Sequence, residues 1–379
     1  MMDSGSGPNV RPRAALGRFV KDINMRFRHL LLFAVTYYLA CAATTAPAAA
    51  PTAVDPYRII ARYQIGGNET GYDYLRVDAA LRRLYVAHAN RVEVLNADSG
   101  ASIGQITGMH GVHGIEIVPE LDKGYTSDGL DRAITVFDRK TLRIRRRIMY
   151  TGEKPDAIAY DVDTRRLFVV NGGGSGSVTV VDPATDAIVD TVELGGGKLE
   201  QIRFDGRGRA FVNDEQRNLV HVFDTHTMQP MTTWSISPCE EPTGMALDES
   251  HHRLFSACGN NKLAVLDSDS GRIVAMLPIG SDPDGAWFDP STQRIFTSNK
   301  EGTLSVLHEV SADRYETVQT LMTGPGARTI AFDDATGHLF VPTARTGPAP
   351  ASGGAAPMLP ETFAVLSIGA AEGVIPATR

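Results

Sequence analysis

Cysteine and tryptophan are scarce in this chain, with 3 and 2 copies among 379 residues. Three cysteines cannot build a disulfide framework or a cysteine metal cage, and without a Cys-x-x-Cys-His sequence there is no basis for covalent haem. Two tryptophans, Trp234 and Trp287, argue against WD-type repeats and against the tryptophan-laden blades of quinoprotein dehydrogenases. Neither a P-loop nor a Gly-x-Ser-x-Gly nucleophile motif occurs. The Gly172 to Gly174 run lies between strand-like segments, without the following helix that a phosphate site needs. An apolar stretch from Leu30 to Ala43 is too short to cross a bilayer comfortably, which takes about 20 residues. Positive charge is also wanting. Six of the 37 basic and two of the 44 acidic residues fall within the first 50 positions, leaving a net −11 on the remainder. Nucleic acid and anionic lipid therefore lose their usual electrostatic attraction.

What the chain does have in quantity is glycine, 37 residues, and proline, 21, beside a hydrophobic fraction of 42%. That combination suits a globular protein of many short elements joined by turns. Near the amino terminus the order is cationic (Met-Arg-Phe-Arg-His from Met25), then apolar, then small residues through Ala50. Secretion machinery recognises that order. Residues 1–50 are thus expected to be an extension plus an export signal, cleaved after Ala48 or Ala50, with delivery to the periplasm or the exterior. Cys41, in Tyr-Leu-Ala-Cys, resembles a lipoprotein cleavage box with Tyr38 in place of the usual leucine. Outer-membrane lipidation at Cys41 is the lesser expectation.

The body repeats one pattern seven times. Arg-Leu-Tyr-Val-Ala-His-Ala has counterparts throughout, with its aromatic at Tyr85, Tyr125, Phe168, Phe211, Phe255, Phe296 and Phe340, spaced 40 to 44 residues apart. A second, alternating segment begins at Val92, Ile134, Val178, Val220, Leu263, Leu304 and Phe363. Period-two alternation bounded by Asp, Asn, Thr and Gly predicts strands. A third segment precedes each aromatic and a fourth follows each alternating run. Four short strands per 40 to 45 residues is the spacing of a β-propeller blade. The expected fold is all-β, a single seven-bladed propeller over residues 51–369, with 370–379 a tail. The last repeat lacks a fourth strand, so Arg58 to Ile65 is predicted to supply it and close the ring, removing an open edge.

The segments Arg-Leu-Phe-Val-Val-Asn-Gly, Val-Thr-Val-Val-Asp and Lys-Pro-Asp-Ala-Ile-Ala-Tyr-Asp resemble the YVTN-repeat β-propellers, including YncE-like exported bacterial proteins. The resemblance spans Arg58 to roughly Gly369 and is specific for architecture. Blades one and two depart most, with Pro119 in place of the usual Asp. For activity it implies little, since that scaffold carries varied roles. Members of the YncE-like group have been linked to DNA, which directs attention to the basic run Arg143, Arg145, Arg146 and Arg147. Outer propeller strands carry such charges to discourage edge pairing, so a nucleic-acid role is not the favoured reading.

Counting back five residues from the end of each first strand gives Asp73, His113, Asp156, Glu200, Thr243, Asp284 and Arg328. These are predicted to surround one mouth of the central channel. Four carboxylates in such a ring disfavour one another's ionisation, which suits a cation or a hydrogen-bonding ligand. A tight calcium cage would need six to eight oxygens, more than this ring offers, so a wet ligand cavity is the better expectation, with a divalent cation as an option. Asn90, Asp128, the Asn171 to Ser177 run, Asn213 to Arg217, Asn260 with Asn261, and Lys300 to Gly302 join the same face. So does an insertion in blade seven, where 59 residues separate Leu304 from Phe363 against 41 to 44 elsewhere. Cys239 and Cys258 flank neighbouring antiparallel strand ends, close enough for a disulfide in an oxidising compartment. His251 and His252 lie in a turn-like Glu-Ser-His-His and should point apart into solvent. The expected function is non-enzymatic binding of a small molecule or envelope protein by a monomer. The alternatives are a metal-dependent hydrolase or lactonase-like enzyme at the channel mouth, and DNA binding.

Overall fold

The structure, a computed structural model, describes residues 56–69, 71–149, 153–348 and 356–371. The chain divides into residues 1–53 and 54–379. The export signal, its start at Met25, Cys41 and the carboxyl-terminal tail beyond residue 371 lie outside the described residues.

Alternating sequence becomes strand after strand. Seven four-stranded antiparallel sheets follow one another around a seven-bladed β-propeller. Their spans are 75–107, 112–149, 155–193, 199–235, 242–278, 283–322 and 331–370, the last joined by 57–64. Blade five is representative, with strands Pro242–Asp248, Arg253–Cys258, Lys262–Asp267 and Ile273–Pro278 running from channel to rim. In blade two the chain leaves Val112–Val118 through a short 3-10 turn at Pro119–Leu121.

Blade seven takes its outer strand from the chain's other end. Tyr57–Gln64 pairs antiparallel with Ala364–Ala370, one residue earlier than the sequence pattern indicated, with a bulge between Ile59 and Ala61. Gln319 of blade six fastens the start of this clasp, its side-chain amide accepting from Tyr57 N at 2.8 Å and donating to Tyr57 O at 2.8 Å.

Each sheet hides its faces against its neighbours. All seven signature aromatics are fully buried, and the apolar side chains fall into seven clusters, each spanning two adjacent blades. Tyr85 meets Phe137 of the next blade at 5.7 Å, and Phe255 meets Phe288 at 5.6 Å. The closing seam, between blades seven and one, joins Phe340 and Val365 to Leu75, Leu84 and Val86. Across it Arg82 reaches Asp333 in two bonds, of 3.0 and 2.7 Å. No blade could bury these surfaces alone, so closure is a condition of stability.

Candidate functional site at the channel mouth

The innermost strand of every blade begins at the same end of the ring. Close approach there depends on small residues just after the predicted ring positions. A Cβ on Gly244 would sit 2.7 Å from the Ala286 backbone nitrogen, and one on Gly114 2.7 Å from the Asp156 carbonyl oxygen. The strand starts therefore crowd together and turn their preceding side chains onto one opening.

All seven predicted positions, Asp73, His113, Asp156, Glu200, Thr243, Asp284 and Arg328, line a single cavity of about 110 Å³. Sequence reasoning missed three further members, Tyr74, Lys154 and Lys198, whereas Glu215 and Lys300 come from the loops Asn213 to Arg217 and Lys300 to Gly302 expected on this face. Two of the lysines stand two residues before Asp156 and Glu200, in Lys-Pro-Asp and Lys-Leu-Glu, a recurrence that could have flagged them. With them the mouth is not an acidic ring. It is a lattice of opposite charges, whose recessed carboxylate side chains are 9 to 13% exposed at Asp73, Asp156, Glu200 and Asp284, beneath lysines 31 to 44% exposed.

His113 Nδ1 lies 2.7 Å from Asp73 and 3.8 Å from Asp156, and Lys154 lies 3.4 Å from Asp156. Burial works against a charged imidazole, but the hydrogen bond to Asp73 and the charge of Asp156 outweigh it and hold His113 above its usual range. Burial raises Asp156 despite its cationic neighbours. Lys198 lies 2.8 Å from Glu200 and bonds Glu215 as well. Burial and Glu215 push Glu200 well up. Burial would raise Glu215 too, yet its bonds with Glu200 and Lys198 keep it low. Of the two, Glu200 is the one that holds a proton more readily. At Asp284 burial is overcome by Arg328, 2.8 Å away, and Lys300, 3.8 Å away, and its carboxyl stays low.

Lys198 and Glu215 also line an open groove of about 600 Å³, completed by Gly172 to Gly174, Gln216, Asn218, Glu240 and Glu241. Beneath the mouth, Tyr74 separates the charged cavity from a second chamber of about 230 Å³, which holds Tyr160, Phe204, Trp287, Arg76, Glu116 and Arg203. In that chamber the Arg203 guanidinium lies 5.7 Å from the Trp287 ring centre. Asp73, His113 and Asp156 also offer ligand atoms within 4.8 Å of one another, as a metal site would.

Other candidates fall elsewhere. Cys239 and Cys258 form a disulfide, Cα atoms 5.3 Å apart, beside the groove-lining Glu240. Asp128 is wholly buried, donated to by Thr126 and Thr135, and burial lifts it to about 6. The arginine run does not make one basic surface. Arg143 precedes the outer strand Ile144–Met149 instead of lying in it. Arg145 and Arg147 pair with Asp138 and Asp131, while Arg146 turns to the Thr185 carbonyl of blade three. Successive strand residues alternate faces, so the charge is split and partly neutralised.

No family model matches the sequence, and no curated protein matches it. Among solved structures the fold is similar to one described as the structure of U3-55K, with 12% identity, a TM-score of 0.65 and coverage of 82% of this chain and 98% of that one. At that identity the likeness concerns the fold alone.

Proposed function

We propose that this propeller is a non-enzymatic binding protein of the YncE-like, YVTN-repeat kind, acting outside the cytoplasm and holding a small polar ligand at its channel mouth. The observation that supports this is the convergence of seven topologically equivalent positions, one per blade, on one charged cavity continuous in its lining with a larger groove. Three glutamates and one lysine in that groove favour a ligand with a cationic or polyhydroxylated part. Ligand groups would replace the protein's own ion pairs, since the recessed carboxylates are already matched by His113, Lys154, Lys198, Lys300 and Arg328.

The test is a thermal-shift screen of cationic, zwitterionic and polyhydroxy compounds on the purified chain, because binding to the native state raises its melting point. A hit whose shift disappears in Glu200→Gln and Asp284→Asn supports the reading. No hit, or hits indifferent to both substitutions, refutes it.

The second reading, a metal-dependent hydrolase, has the Asp73, His113 and Asp156 cluster in its favour. Hydrolysis would need an ion-bound water there with a carboxylate or His113 as base. Activity against ester and lactone substrates that needs an added divalent ion and vanishes in Asp156→Ala would establish it over the first reading.

A further inference from the structure

A different cluster lies at the far end of the inner strands. Thr243 and Asp248 mark the two ends of one strand, roughly 17 Å apart at about 3.3 Å per residue. In most blades the aspartate closing the inner strand uses Oδ1 to cap the following turn and Oδ2 to meet a donor. Oδ2 receives Arg139 at Asp78 (2.9 Å), Thr164 at Asp161 (2.7 Å), Arg209 at Asp205 (2.7 Å), Thr292 at Asp289 (2.6 Å) and Thr336 at Asp333 (2.7 Å). Asp248 keeps the cap, with Ser250 donating to Oδ1 at 2.6 Å, but its buried Oδ2 has no aligned donor.

What faces Asp248 explains the difference. Arg139 of blade two and Glu309 of blade six occupy equivalent places, each donating its backbone N–H to the residue just before its own blade's second strand, Asp122 and Gln293. Arg139 extends to Asp78 of the preceding blade. Glu309 extends likewise to Asp248 of its preceding blade, so a carboxyl group meets a carboxyl group where blade two sets a cation. Both side chains are at most 1% exposed, and Glu309 Oε2 also lacks a partner. Exposed His251 completes the group, with Nδ1 2.7 Å from Asp248 Oδ2 and 3.4 Å from Glu309 Oε1, and the three ligand atoms lie within 4.8 Å of one another. His252 points away, to Asp269 at 2.6 Å. The two histidines thus point apart on an exposed turn, as expected, and each also meets a carboxylate.

We propose that Asp248, His251 and Glu309 bind a divalent transition-metal cation of the zinc type between blades five and six, with water completing its coordination. One imidazole nitrogen and two carboxylates suit zinc better than magnesium or calcium, which prefer all-oxygen sites. Bonds of about 2.1 Å in a tetrahedron place ligand atoms about 3.4 Å apart, within the range already present.

The experiment strips the purified chain with a chelator and titrates Zn²⁺ against a chromophoric competitor while following the melting temperature. One zinc per chain and a zinc-induced rise in melting temperature are expected, the stoichiometry and the rise being retained in His113→Ala, whatever its metal-free melting temperature, and lost in His251→Ala and Glu309→Arg. The arginine variant recreates the Arg139 to Asp78 pairing, so its metal-free melting temperature should equal or exceed that of the parent. Loss of the site is then distinguishable from loss of the fold. Absence of saturable zinc binding, binding that survives both substitutions or that disappears in His113→Ala, or a stronger response to Ca²⁺ or Mg²⁺ would each overturn the proposal.

Discussion

Removing the two inward tyrosines of the clasp, Tyr57→Ala with Tyr63→Ala, should open the ring. Both are 6% exposed. Tyr57 sets its edge against Phe296 at 5.0 Å. Tyr63 packs near Phe340 at 6.2 Å and donates its hydroxyl to the carbonyls of Ala97 and Asp98, in blade one, at 2.9 and 3.1 Å. Deleting a buried aromatic costs about 3–5 kcal/mol. The two lie six residues apart along an extended strand, about 20 Å, and share no ring contact, so their costs should nearly add, to about 6–10 kcal/mol. Total stability for a globular protein is about 5–15 kcal/mol. The double variant should therefore be marginal, with the single variants in between. Urea unfolding measures the loss, and amide exchange over Ala364–Ala370 reports whether the clasp has detached. Ile60→Ala, at a site 46% exposed, should change stability by less than about 1 kcal/mol. A double variant within about 1 kcal/mol of the parent, with amide protection intact, would refute the inference that this strand closes the propeller.

Two further outcomes follow from local chemistry. Replacing Cys239 and Cys258 together by alanine releases a cross-link spanning 19 residues of sequence and should cost about 3 kcal/mol through the freed unfolded chain, read as a lower denaturant midpoint. A loss below about 1 kcal/mol would show that the bridge constrains little. For His113 the sign is fixed by its raised folded-state pKa. Its stabilising contribution is complete below the unfolded value of about 6.5 and is lost as pH rises through the folded value. The stability gap between parent and His113→Ala should thus narrow as pH increases above 6.5, and an NMR titration of the ring should give a midpoint above 6.5 that falls in Asp73→Asn. A midpoint at or below 6.5 contradicts the pairing.

Blade number, strand order and the crossing of the two chain ends were legible because each depends on a property that repeats. Tyr85 and its six counterparts recur because every blade interface needs a large buried ring at that place, and the ring positions from Asp73 to Arg328 follow from equal strand lengths. What equal spacing cannot convey is what a residue meets across a seam. Lys154 and Lys198 reach the mouth from the loops that enter the inner strands, so the cavity's charge balance was misjudged from the ring positions alone. Arg145 to Arg147 looked like one basic patch because adjacency in sequence hides alternation in a strand. Glu309 shows the same limit most sharply. In its own blade it is a polar residue near the end of the strand Thr303–Ser311. Only alignment with Arg139, and recognition that both oppose a strand-closing aspartate of the preceding blade, shows that one interface carries two negative groups where another carries a matched pair. Repetition thus supplies the reference state against which a departure acquires chemical meaning, and in this propeller the departures at the seams, more than the repeat itself, are where specific chemistry should be sought.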